Sequence, residues 1–167
     1  MVLGMSLATF TLLHVAISLI AIVTGVIVMI GMLGVQRMPG LTAVFLLFTI
    51  LTSVTGFLFP VTQLLPSHVI GIISLVLLAL ACLALYGQKL AGPWRWIYVV
   101  TALLSLYLNV FVLVIQGFLK TPALSAIAPG NPPSGPVFAA VQGVVLVVFA
   151  VAIVGAFRRF RPAAVMA

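Results

Sequence analysis

The sequence predicts an all-α integral membrane helical bundle of about five transmembrane helices, and three observations predict it. Hydrophobic residues make up 65% of the chain and charged residues 4%. A soluble chain is about 25% charged, so lipid rather than water must solvate most of this surface. Between Arg37 and Lys89 there is no Asp, Glu, Lys or Arg, a stretch long enough for two spans of roughly 20 residues and a turn. Finally, Gly- and Pro-bearing breaks divide the apolar sequence into segments of membrane-spanning length.

The first span is expected at about 7–33. It ends in Gly34, Arg37, Met38, Pro39 and Gly40, which stop a helix and turn the chain. It is long enough to tilt, and the N-terminal run extends too far for a signal-peptide core, so it is expected to be retained. The second span, about 41–59, is closed by Pro60. The uncharged segment Val61 to Ser67 then leads back, apolar enough to sit partly in the membrane interface. The third span, about 68–87, ends before Gln88, Lys89, Gly92 and Pro93. Trp94, Trp96 and Tyr98 read as an interfacial aromatic belt opening a fourth span at about 96–118. The linker 120–136 holds five prolines and two glycines and is expected to be an irregular outer loop suited to docking or to closing over a site. The fifth span, about 137–157, ends in Arg158, Arg159 and Arg161.

Five spans with the N-terminus outside put Arg37, Lys89, Arg95, Arg158, Arg159 and Arg161 on the cytoplasmic side, with Lys120 alone opposite. That division follows the tendency of cytoplasmic loops to carry Lys and Arg, and a four-span reading breaks it. The expected location is a bacterial inner (plasma) membrane. The seven cations sit at span ends rather than on one soluble face, so the net charge of +7 points to lipid head groups and not to nucleic acid.

The chain contains no Asp or Glu. Carboxylate pairs, Ser/His/Asp triads, carboxylate metal cages and the usual acidic proton relays are therefore excluded. The single cysteine, Cys82, reads as a small packing residue. Helices in lipid associate through small residues, and each span offers some at helical spacing. These are Ser18, Ala21 and Gly25; Thr49, Thr52, Ser53 and Gly56; Gly71, Ser74 and Cys82; Ala102, Ser105 and Asn109; and Ala139 with Gly143.

In this topology His14, His68, Asn109, Gln116 and Gln142 all fall toward the outer side, which suggests a polar pocket opening outward. Ser18 lies one turn after His14 on the same face, so its hydroxyl or Asn109 is the expected partner of the ring. Two histidines on different helices could ligate a haem b. Their expected depths differ by roughly 10 Å, however, which suits one iron poorly. Two His, no acid and one distant Cys fall short of a metal site.

The leading expectation is thus a non-enzymatic binding or accessory subunit for a membrane partner, lipid or hydrophobic ligand, with a homo-oligomer as one form of partnership. One alternative is an electron-transfer protein in which His14 and His68 bind haem, or Asn and Gln residues bind a quinone. A second is a small transporter or channel walled by amides and hydroxyls. The topology is directly testable: a reporter fused after Arg161 should read cytoplasmic and one inserted at Asn131 external, and the opposite pattern would invert the bundle.

Overall fold

The computed structural model describes residues 2–60 and 66–161. The helices are α1 (Leu7–Leu33), α2 (Pro39–Gly56), α3 (Pro66–Cys82, extended by a π-helical turn over Leu83–Gly87), α4 (Trp94–Lys120), α5 (Pro122–Ile127) and α6 (Pro136–Arg159). Five of them, α5 being the exception, are long and apolar enough to span a bilayer, and no strand occurs among the described residues.

Helix boundaries follow local chemistry. Ser6 caps α1 by accepting from the Thr9 N–H at 3.1 Å, and α1 covers the expected 7–33. Pro39, expected to stop a helix, and Pro122 and Pro136, expected in an irregular loop, are each the first residue of a helix, as is Pro66. The first turn has no use for that N–H, and the fixed φ of proline suits it. As a result α2 begins earlier than expected and ends at Gly56 rather than near Phe59. The linker 120–136 is likewise not wholly irregular, since α5 occupies its first part. The expected interfacial hairpin at Val61 to Leu65 lies outside the described residues.

Helix α4 contacts α1, α2, α3, α5 and α6, while α6–α1, α1–α2 and α2–α3 are also packed pairs. The bundle is therefore an arc of α6, α1, α2 and α3 around a central α4. Val99, Ala102, Leu103 and Leu106 of α4 are fully buried. Gly25 of α1 meets them closely, because a Cβ there would stand 2.6 Å from Leu106 Cδ1 and 2.8 Å from the Phe45 ring. Four of the five small-residue seams face inward in whole or part, but that of the fifth span does not. Ala139 is exposed and a Cβ on Gly143 would meet nothing within 4 Å. Instead α6 buries Phe149, Ala152 and Ala156, and Gly155 lets Leu33 approach to 2.8 Å of its would-be Cβ.

The turns at the basic end are tightly made. Gln36 N–H donates to Gly31 O at 2.8 Å and Val35 N–H to Met32 O at 3.2 Å, a Schellman closure that puts Val35 at φ 60. Lys89 and Leu90 are also left-handed, at φ 48 and 61. Such a conformation is rare for side chains other than Gly, Asn and Asp, and rarest for a β-branched one. Arg95 spans the same end, with Nη1 donating to Phe157 O at 3.0 Å and Phe160 O at 2.7 Å.

A Gly25→Leu substitution should overpack the α1–α2–α4 contact and cost about 1–3 kcal/mol. Gly143→Leu should be nearly neutral. Thermal unfolding in detergent compares the two, and equal losses would contradict this packing.

Candidate functional site

Hydroxyl chemistry sets the environment of His14. Thr55 donates its hydroxyl proton to Leu51 O at 2.7 Å, so toward the ring at 2.7 Å it can only accept. With that proton donated to Leu51 O, the contact assigns the Nδ1–H tautomer to His14, an assignment from the hydrogen-bond network. Phe59 meets the ring edge-on at 5.2 Å between centroids. The expected partners are not used: Ser18 donates back to the His14 carbonyl at 2.8 Å, and Asn109 makes no bond to the ring among the described residues. Thr55, the true partner, sits in the α2 seam between Thr52 and Gly56, and its place there was the available signal.

His68 lies in the first turn of α3 beside Phe57, with ring centroids 5.6 Å apart. Both histidines thus meet the same end of α2, although their positions along α1 and α3 suggested well-separated depths. The other outer candidates disperse. Gln142 Nε2 donates to Phe111 O at 3.1 Å, while Gln142 Oε1 and Asn109 Nδ2 are buried with no partner among the described residues. Gln116 is exposed and joins neither. Thr55 and Phe59 on one side and Phe57 on the other bring both histidines to the same end of α2, whereas Gln116 faces away from it.

A cavity of about 150 Å³ lies at the opposite, basic end. Gln36, Arg37, Thr42, Tyr86 and Tyr98 give it polar groups, and Val28, Met32, Leu85, Leu90 and Phe160 line it with apolar surface. Each element contributes for a local reason. The Schellman turn delivers Gln36 and Arg37, and the π-helical turn shifts the register that carries Leu85 and Tyr86. Leu90 arrives through its left-handed backbone. Arg95 fixes the end of α6 and with it Phe160, whose ring packs against Tyr98 at 6.3 Å.

Tyr98 is only 2% exposed and lies beside Thr42. It is consequently not part of a lipid-facing aromatic belt, unlike Trp96, which is 42% exposed. Its inward direction had a sequence signal, because Tyr98, Ala102, Ser105 and Asn109 recur at helical spacing on one face. Among the described residues no group of three or more His, Cys, Asp or Glu could hold a metal ion.

Thr55→Val keeps the shape and removes the acceptor. It should cost about 1 kcal/mol and release the tautomer lock. Nitrogen NMR of ¹⁵N-histidine-labelled protein should find His14 protonated at Nδ1 in the parent and mixed in the variant; an Nε2–H parent would contradict the assignment. Comparison of the chain with protein-family models, curated proteins and solved structures finds no match.

Proposed function

We propose that this protein is a non-enzymatic membrane bundle that binds a lipid or other hydrophobic ligand, acting as a binding or accessory subunit. The observation that carries this reading is the cavity at the basic end, with its polar rim and apolar wall. At about 150 Å³ it matches the size of cavities that take up a benzene-sized group. Three backbone irregularities border it: left-handed Val35, left-handed Lys89 and Leu90, and the π-helical turn. Such costly features persist where surrounding structure or function requires them. In this reading the basic end faces the cytoplasm of a bacterial inner membrane, and the ligand enters from that leaflet. The absence of any side-chain carboxylate supports binding over acid–base chemistry.

Val28→Phe should fill the cavity wall. Native mass spectrometry of the detergent-purified protein should then lose at least tenfold of the co-purifying lipid or hydrophobe, with helicity by circular dichroism retained. Unchanged ligand occupancy in a folded variant would count against the cavity as the binding site.

A second reading has its own observation. The His14 Nδ1–Thr55 contact leaves Nε2 as the nitrogen with the lone pair, and a donor hydrogen bond from the other ring nitrogen is the usual support of a metal- or haem-ligating His. Protein from a haem-replete host should then absorb in the Soret region near one haem per chain and lose that band in His14→Ala. A colourless preparation removes this reading.

A further inference from the structure

We infer that the ligand of the basic-end cavity is an acidic phospholipid, whose phosphate is met by Arg37 and whose first chain carbons enter beside Val28 and Met32. This deepens the binding reading above and rests on it.

The argument begins with charge. Arg37 lines the cavity, and the chain contains no Asp or Glu to neutralise it. Arg95 shows what an occupied guanidinium looks like here, with two carbonyls on one nitrogen, whereas Arg37 makes no hydrogen bond among the described residues. The planar guanidinium matches a phosphate with two parallel N–H donors. Gln36 and Tyr86 add further donor groups at the same rim.

Position comes next. Arg37 stands in a short turn fixed on one side by the Gln36–Gly31 hydrogen bond at 2.8 Å and on the other by Pro39 at the start of α2. The rim is thus placed by backbone before any ligand arrives. Val28 lies five residues inside the end of α1, or about 7–8 Å at ~1.5 Å per residue. A head group at Arg37 therefore continues onto Met32 and Val28, both nearly fully buried, over one to two helical turns of apolar wall. Polar above and apolar below, at the boundary between charged loop and membrane span, is the order of groups along a phospholipid. The cavity is too small for a whole lipid, so it takes the head-proximal part while the chains lie along the bundle. Net charge distribution favours an acidic head: Lys89, Arg158, Arg159 and Arg161 share this end, and each cation near an anionic leaflet adds to the attraction.

The test is a native mass spectrometry titration of the full chain in detergent with phosphatidylglycerol and phosphatidylcholine of identical acyl chains. Parent, Arg37→Gln and Val28→Phe are compared, with circular dichroism reporting the fold. Both lipids offer the phosphate, but the choline ammonium cancels its charge and meets the cations of this end, so the parent should prefer phosphatidylglycerol by roughly tenfold. Arg37→Gln should cut the preference severalfold, leaving the part owed to the other cations of this end, and Val28→Phe should weaken both lipids alike. A preference unchanged in Arg37→Gln, or no preference in the parent, overturns the acidic-lipid inference while leaving the binding reading intact if Val28→Phe still weakens lipid binding. Loss of phosphatidylglycerol to an equal concentration of inorganic phosphate overturns the lipid as source in favour of a free anion. No lipid bound by any form overturns both readings.

Discussion

Seven side-chain cations and no side-chain carboxylate leave this chain unable to form an ion pair between its own side chains. Every Lys and Arg must be satisfied by a main-chain carbonyl, by water or by a phosphate outside the protein. Arg95 takes the first route, and its two bonds to the end of α6 hold Phe160 over Tyr98. Arg37 makes no hydrogen bond among the described residues and opens instead onto the cavity. The arrangement of the basic end, including the cavity, follows from these unequal solutions to one electrostatic constraint.

Away from that end, the same economy governs the hydroxyls. Thr24, Thr49, Thr52, Thr55, Thr101 and Ser105 each donate to a carbonyl one turn earlier in their own helix. A hydroxyl satisfied in this way costs little in lipid and asks nothing of a neighbouring helix. Among the described residues, polar side-chain pairs do join helices, as at Ser53 and Ser74, whose oxygens lie 3.2 Å apart, at His14 and Thr55 and at Thr42 and Tyr98, but they are scattered along the bundle. Close apolar packing around α4 therefore carries most of the association, with Gly25 and Gly155 permitting the approach.

The spans were legible in the sequence because lipid demands long apolar helices whatever their neighbours are. The first was placed to the residue. Proline was misread at Pro39, read as a helix stop, and at Pro122 and Pro136, read as loop residues, since a residue that breaks a helix interior suits the first turn of the next and each of these starts a helix. Polar residues were harder. Their depth suggested a shared outer pocket, but side-chain partners depend on helix rotation, which turned Gln116 outward and sent the His14 ring to Thr55. The basic-end cavity was illegible for another reason. It is built from left-handed Val35 and Leu90 and from a π-helical turn, none of which the residue types there announce.

The hydrogen bond between His14 and Thr55 also fixes how two helices are staggered. His14 is seven residues past the start of α1, whereas Thr55 is next to the last residue of α2. At ~1.5 Å per residue, α1 therefore overshoots α2 by about two turns, or roughly 10 Å. The residues after α2 fill that step: the Phe59 ring lies edge-on to Phe10 at 5.0 Å and to His14 at 5.2 Å between centroids, and Phe10, a turn above His14, is fully buried. A short helix followed by an aromatic cover thus does the work of a longer one, shielding the opening turns of α1 and the His14–Thr55 hydrogen bond with side chains where no further backbone helix is available.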